Sequence, residues 1–316
     1  MHTVAVLALD RVVPFDLATP IEVFSRTRLP DGAPAYEVRI CGPAPEVDAG
    51  MFTLRPPWGL AGLADADTIM VPGRSSNPPV PPEVLAALRT AAARGARIAS
   101  ICSGAFVLAA TGLLDGLRAT THWAAAAELA RLHPAVEVDP DVLYVDNGRL
   151  LSSAGAAAGL DLCLHLIRRD HGSAVAADAA RLSVMPLERE GGQAQFIVQD
   201  PPPVPRGSEL EPVLEWLERN SADELTLPAI AARVGMSTRT LNRRFREQTG
   251  TTPLQWLLRA RVRRAQHLLE ATDEPVDRIA GQVGFGSPTA FRERFKRVVG
   301  TSPQAYRAGF RGAAAS

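Results

Sequence analysis

The chain has 316 residues, 46% of them hydrophobic, and no net charge. That length suits two domains better than one and supplies enough apolar side chain for a substantial core. No uncharged apolar run reaches about eighteen residues, so no transmembrane helix is expected.

The opening "MHTVAVLALDRVV" lacks a basic start and a small-residue cleavage site, and reads as a first strand rather than a signal peptide. A cytoplasmic protein is therefore expected. Three cysteines, Cys41, Cys102 and Cys163, stand far apart, and there is no CxxC pair. The odd number and the spacing argue against a disulfide framework or a zinc site. The six histidines show no ligand spacing, so neither metal nor cofactor is expected. Charge is unevenly placed. From residue 225 onward there are 16 Arg or Lys against 6 Asp or Glu, a net of +10, which leaves −10 for the first 224 residues. Such a split suggests one domain facing an anion and one that does not.

From residue 4 to about 170, strand-like and helix-like segments alternate. "VAVLAL" (4–9) is short and β-branched, as a buried strand is. "EVRIC" is a second strand, and "TIMVPG" a third that ends in a turn after Val71. "PEVLAALRTAAARG" is a helix stopped by Gly95. "RIASI" is the next strand, followed by a turn at Cys102 and a helix from about Gly104. "LLSSAG" then leads into the helix "GLDLCLHLIRRD". Alternating units of this kind predict a parallel sheet covered on both faces, with ligands beyond the carboxyl ends of its strands. Cys102 falls at one such end.

A cysteine at a strand-to-helix turn can be a nucleophile, because the helix N-terminus stabilises a thiolate. The Ser103 N–H and the N–H of Arg74, after the turn "VPGR", are candidate oxyanion donors. "TTHW" offers His122 as a base at another strand end, and Asp16, after the first strand, is an acid to orient the pair. The alternative for each is ordinary: Cys102 a small buried residue, His122 a cap or a partner of Trp123, Asp16 a cap. Cys41 and Cys163 lie in apolar runs and read as core; His165 shares the helix of Cys163, and Asp161 is expected to have a structural partner.

Residues 186–208 are rich in Pro and Gly, with three prolines at 201–203, and read as a linker between domains 1–185 and 209–316. The second domain reads as nearly all helix and contains a repeat. Leu227, Ile230, Ala231, Val234 and Gly235 recur 49 positions later as Val276, Ile279, Ala280, Val283 and Gly284. Beyond the turn, Leu241, Phe245, Gly250, Pro253 and Trp256 recur 50 positions later as Phe291, Phe295, Gly300, Pro303 and Tyr306. Each copy is helix, glycine turn, helix. Thr226, Ser237 and Ser287 are expected N-caps, with Pro288 at a first helical position. Leu241 and Phe245 lie four apart and face inward, leaving Thr238, Arg239, Asn242, Arg243 and Arg246 outside. In the second copy Phe291 and Phe295 face inward, and Thr289, Arg292 and Lys296 form the outer row. The helical connector "PLQWLLRARVRRAQHLLEAT" would hold two such heads about one DNA turn apart. Arginines on a second helix of this kind can bridge O6 and N7 of guanine in the major groove, while others neutralise phosphate.

"IAARVGMSTRTLNRRFREQTGTTPLQWL" and "IAGQVGFGSPTAFRERFKRVVGTSPQAYR" together resemble the AraC/XylS DNA-binding domain. The resemblance implies one chain reading tandem elements of promoter DNA through the outer rows. "PFDLATPIEVF", "TIMVPGR", "ICSGAFVLAATGLLDGLRATTHW" and "SSAGAAAGLDLCLHL" resemble the ThiJ/PfpI branch of the glutamine-amidotransferase-like fold. That implies an α/β class, a flavodoxin-like parallel sheet sandwich followed by an all-α domain of two helix-turn-helix motifs. In enzymes of that superfamily the elbow cysteine aligns with Cys102, the histidine with His122 and the acid with Asp16. The acid is shortened here from glutamate, and the usual Gly-Gly turn is Gly73-Arg74, which makes Arg74 an expected handle for an anionic ligand. The two halves together resemble GlxA/FtrA-type AraC regulators, most of all the AdpA type. The resemblance implies a nucleoid-associated homodimeric regulator that pairs through its N-terminal half and contacts RNA polymerase. A small effector would sit at Asp16, Arg74, Cys102, Ser103 and His122, with the elbow non-catalytic. The alternatives are a cysteine-dependent amidase or glyoxal-modifying hydrolase with a DNA-binding tail, and an architectural DNA binder with an empty pocket.

Overall fold

A computed structural model of the chain describes residues 1–187, 192–193 and 210–311. They fall into two compact units, Met1–Gln193 and Ala194–Ser316. The linker expected over 186–208 lies largely outside the described residues, and the first unit runs past the boundary expected at 185. Among the described residues, no helix is long and apolar enough to cross a membrane.

The strands of the first unit are β1 (His2–Leu7), β2 (Tyr36–Cys41), β3 (Val47–Asp48), β4 (Thr53–Leu54), β5 (Thr68–Val71), β6 (Arg97–Ile101), β7 (Arg118–Ala119), β8 (Glu137–Val138), β9 (Tyr144–Asp146) and β10 (Leu150–Ser153). Its helices are α1 (Pro14–Arg26), α2 (Pro82–Arg94), α3 (Gly104–Ala110), α4 (Trp123–Leu132) and α5 (Ala157–Leu182). Six strands form one sheet in the order β2-β1-β5-β6-β10-β9. It is parallel except for β9, which runs antiparallel to β10. The pairs β3–β4 and β7–β8 stand apart.

Alternate side chains of the inner strands enter different cores. Val4, Val6, Met70, Ala99 and Leu151 pack with α1 and α5. Ala5, Leu7, Ile69, Val71 and Ile98 pack with α2, α3 and α4. Both faces are dry, which is why these strands read as continuous apolar runs and not as alternating ones. The first strand ends two residues earlier than its apolar run predicts, and Ala8 and Leu9 stay buried beyond it. Helix α5 is broken at Gly172, whose φ of +84° and ψ of 171° no helix contains.

The second unit contains α6 (Glu211–Arg219), α7 (Leu227–Arg233), α8 (Thr238–Thr249), α9 (Pro253–Ala271), α10 (Val276–Gln282), α11 (Pro288–Val299) and α12 (Pro303–Arg311). It has two cores. Leu217, Ile230, Leu241, Phe245, Trp256 and Ala260 form one. Val262, Leu269, Ile279, Phe291, Phe295 and Tyr306 form the other. Helix α9 contributes its first half to one core and its second half to the other. Its 19 residues span about 28 Å, so it is both spacer and shared wall.

The caps follow the sequence. Thr226, Ser237 and Ser287 accept from the N–H groups of Ala229, Thr240 and Ala290, each three residues on. Thr252 and Gln255 close a capping box on α9. Such caps stabilise by about 1 kcal/mol each.

Candidate functional site

Cys102 occupies the turn between β6 and α3, with φ +55°, a left-handed conformation that non-glycine residues rarely adopt. Its surroundings hold it there. The Cys102 N–H donates to Ser153 O at 2.9 Å, and its carbonyl accepts from Thr121 Oγ1 at 2.8 Å. A Cβ on Gly155 would collide with the Cys102 side chain, and one on Gly104 with the Val71 carbonyl. The elbow is thus a strained turn that two glycines make room for.

Asp16, in the first turn of α1, is 1% exposed. Its Oδ1 accepts from the Ala156 N–H at 3.0 Å, while Oδ2 is buried without a hydrogen-bond partner. The Cys102 thiol lies close enough to act on it. Burial raises the Asp16 carboxyl above its ordinary range. Burial, and then the Asp16 charge, push the Cys102 thiol up to about 12. The Ser103 N–H and side chain act the other way on the thiol, without reversing it. Asp16, Cys102 and Ser103 therefore meet, in surroundings that favour the protonated thiol.

His122 follows a two-residue strand outside the main sheet, where a strand end of the sheet was expected. Its Nδ1 accepts from the Ala124 N–H at 3.3 Å, which makes it the N-cap of α4, and its ring lies 5.4 Å from that of Trp123. It lies near enough to Asp16 to act on that carboxyl, but among the described residues no hydrogen bond joins it to Cys102.

Arg74 departs from expectation in both its roles. It is 6% exposed, and its guanidinium donates to Asp10 O at 3.0 Å and Pro78 O at 2.9 Å. Its peptide N–H, expected at an oxyanion, donates to Ser103 Oγ at 2.7 Å. Ser103 Oγ in turn donates to Arg74 O at 2.8 Å. Arg74 fastens two loops together, and the turn that supplies oxyanion donors in the enzymes is closed by a serine.

Two residues at this site had no sequence signal. Thr121 ties the His122 segment to the elbow. Gln193, inside the stretch read as linker, is 3% exposed and bonded to Thr120, Thr121 and Trp123.

In the second unit, Leu241, Phe245, Phe291 and Phe295 are fully buried. Arg239, Arg243, Arg246, Thr289, Arg292 and Lys296 are exposed, with Thr238 and Asn242 half-buried among them. The inward pairs four residues apart leave each basic row no other direction. Two arginines of these outer rows carry carboxylates: Arg243 pairs with Glu247 at 3.1 Å, and Arg292 with Asp277 of α10.

Comparison with known proteins agrees with both halves. Residues 2–169 match the DJ-1/PfpI family and residues 230–309 a helix-turn-helix domain. The chain belongs to the DJ-1/PfpI family and carries an AraC-type helix-turn-helix domain after it. The HTH-type transcriptional regulator GlxA of Rhizobium meliloti is 34% identical over 231 residues, covering 70% of this chain and 68% of GlxA. The regulator GbdR of Pseudomonas aeruginosa is 28% identical over 222 residues, and the match spans 70% of this chain but only 60% of GbdR. A crystal structure of an AraC family transcriptional regulator from Pseudomonas putida shares the fold, with a TM-score of 0.53 and 22% identity, over 58% of this chain and 100% of that one.

Proposed function

We propose that the protein is a sequence-specific DNA-binding transcription regulator whose α8 and α11 enter the major groove of promoter DNA. The observation that carries this is the repeated geometry of the second unit. Two capped second helices each bury an aromatic or aliphatic pair and turn a basic row outward, with a rigid helix between them. Arg239, Arg243 and Arg292 are the base readers, with Thr238, Asn242, Thr289 and Lys296 beside them and Arg246 toward phosphate. The domain acts in the cytoplasm, on the nucleoid, and contacts RNA polymerase there.

The first unit works by binding and dimerisation, not turnover. Supporting this, the Cys102 thiol is held protonated, His122 is spent as a cap, and the Arg74 N–H is taken by Ser103. Asp16, Cys102, Ser103 and His122 would line an effector pocket, with Arg74 as its buttress. Glyoxal or amide turnover that disappears in Cys102→Ala would favour the hydrolase reading instead.

The test is selection of duplexes from a random-sequence library by the whole protein, followed by affinity measurements on the selected site. Arg243→Ala should weaken specific binding by about 1–3 kcal/mol and relax the preference at one position. An unchanged ratio of specific to nonspecific affinity would remove Arg243 from the readers.

A further inference from the structure

The last residue the first unit holds is tied to the elbow by its side chain. Gln193 Nε2 directs its two N–H bonds among three acceptors, Thr120 Oγ1 at 3.1 Å, Thr121 O at 2.9 Å and Val142 O at 3.0 Å. Its Oε1 accepts from the Trp123 N–H at 2.9 Å, and its own N–H donates to Asp141 O at 2.8 Å. The amide thus has its donors and its acceptor engaged, as a buried polar group requires. Gly192 packs so closely that any Cβ would collide with the Asp141 carbonyl. This short piece of chain is seated, not merely passing.

What it is seated on matters. Thr121 and Trp123 flank His122, so Gln193 grips the histidine segment on both sides. Thr121 in turn donates from Oγ1 to the Cys102 carbonyl at 2.8 Å. Two hydrogen bonds, Gln193 to Thr121 and Thr121 to Cys102, therefore separate the outgoing chain from the strained backbone of the elbow. The Thr120 N–H, bonded to Ser152 Oγ at 2.8 Å, fixes the same segment to β10.

We propose that Gln193 is a positioning residue that couples the elbow to the DNA-binding domain, by clipping the chain leading to that domain onto the segment that carries His122. The proposal rests on the regulator reading and supplies its transmission. Gln193 is the last residue of the first unit, so the clip holds the end of that unit against the segment that carries His122. Occupancy at the elbow that shifts residues 121–123 misaligns these bonds, and hydrogen bonds weaken steeply with misalignment. Reciprocity follows: a state of the DNA-binding domain that pulls on the clip changes affinity at the elbow by the same factor.

The test uses the whole protein, with amide hydrogen exchange at Trp123 and affinity for a duplex the native chain has selected. Thr121→Val cuts the one bond from the clip segment to Cys102 while keeping side-chain shape. Gln193→Ala removes the clip, and Gln193→Glu keeps the acceptor for Trp123 while losing the donors. Trp123 exchange should rise severalfold in Thr121→Val, and more in Gln193→Ala, with Gln193→Glu between. Thr121→Val and Gln193→Ala should each shift duplex affinity threefold or more in the same direction, and the double variant no further than Gln193→Ala alone. Should Gln193→Ala not fold, Gln193→Glu takes its place in the cycle. Faster exchange with unchanged affinity would make Gln193 a structural clip and overturn the coupling, as would additive effects in the double variant. A native chain that selects no duplex sinks the regulator reading as well, which separates the two failures.

Discussion

Cys102 should react slowly with disulfides, and its rate should keep rising with pH well past the point where an ordinary cysteine levels off. Burial first, then the Asp16 charge, moves the thiol from 9.0 to about 12. At pH 7.5 the thiolate population is then about a thousandfold smaller than for an ordinary thiol. A more basic thiolate is also a better nucleophile, with a Brønsted slope of about 0.4–0.5, which returns roughly 16- to 30-fold. The net expectation is a rate about thirty- to sixtyfold below that of an exposed cysteine. The assay is exchange with a small neutral disulfide, hydroxyethyl disulfide, on a Cys41→Ala, Cys163→Ala chain, followed from pH 6.5 to 10. Log rate should climb with unit slope throughout. Restricted access would lower the whole line without moving its plateau, so the pH of levelling reports the pKa alone. Asp16→Asn should bring the plateau to lower pH, because the carboxylate raises the thiol's pKa. A plateau below about pH 8.5 would refute the reasoning and make Cys102 an activated thiolate, reopening catalysis and covalent sensing.

Two further outcomes test the framework on which the sites are mounted. Arg97 and Asp170 form a two-bond ion pair, at 2.8 and 2.6 Å, with side chains only 11% and 13% exposed. Burial alone would raise the Asp170 carboxyl, yet the Arg97 hydrogen bonds and charge bring it below its ordinary value. Its stabilisation is therefore present above pH 3.8 and lost as pH falls through the lower, folded value. Asp170→Asn should cost about 3–5 kcal/mol at pH 7, and less as acid protonates the native carboxyl, read by urea unfolding at both pH values; a cost that stays constant with pH would contradict the pairing. In the second unit, Phe291→Ala should cost about 3–5 kcal/mol in thermal unfolding, because the ring is fully buried in the core around α10 and α11. A loss under 1 kcal/mol would mean that core is not formed as described.

The helix-turn-helix repeat was legible because everything that sets it is local. Caps act over three residues and inward pairs over four, and the two copies check each other. The main strands were legible because burial on both faces leaves an unbroken apolar run. The elbow was legible as a place but not as chemistry. That Cys102 ends a strand follows from "RIASI" and the glycine after it, but its protonation depends on burial and on a carboxylate 86 residues earlier. Arg74 was misread because a residue type does not reveal which way a side chain leaves a turn, and here it turns to two carbonyls. Gln193 was unreadable: its stretch has no periodicity, and its partners Thr120, Thr121 and Trp123 lie about seventy residues away.

The carboxylates paired with two arginines of the proposed reading helices carry the electrostatics one step further. From residue 225 onward the chain carries a net +10, and unrelieved that charge would favour any DNA by counterion release alone. Under the proposed function, Glu247 on Arg243 and Asp277 on Arg292 neutralise two of the charges that would face the groove. Both pairs are about half exposed or more, so each is worth about 0–1 kcal/mol. A bidentate arginine–guanine contact is worth about 1–3 kcal/mol of discrimination. The correct base can therefore take the arginine from its carboxylate, while a wrong base gains too little to repeat the exchange. The pairs subtract from indiscriminate affinity and leave the specific contact nearly intact. Under the proposed function, specificity would then depend on what competes for each arginine, not only on what the arginine meets in the groove.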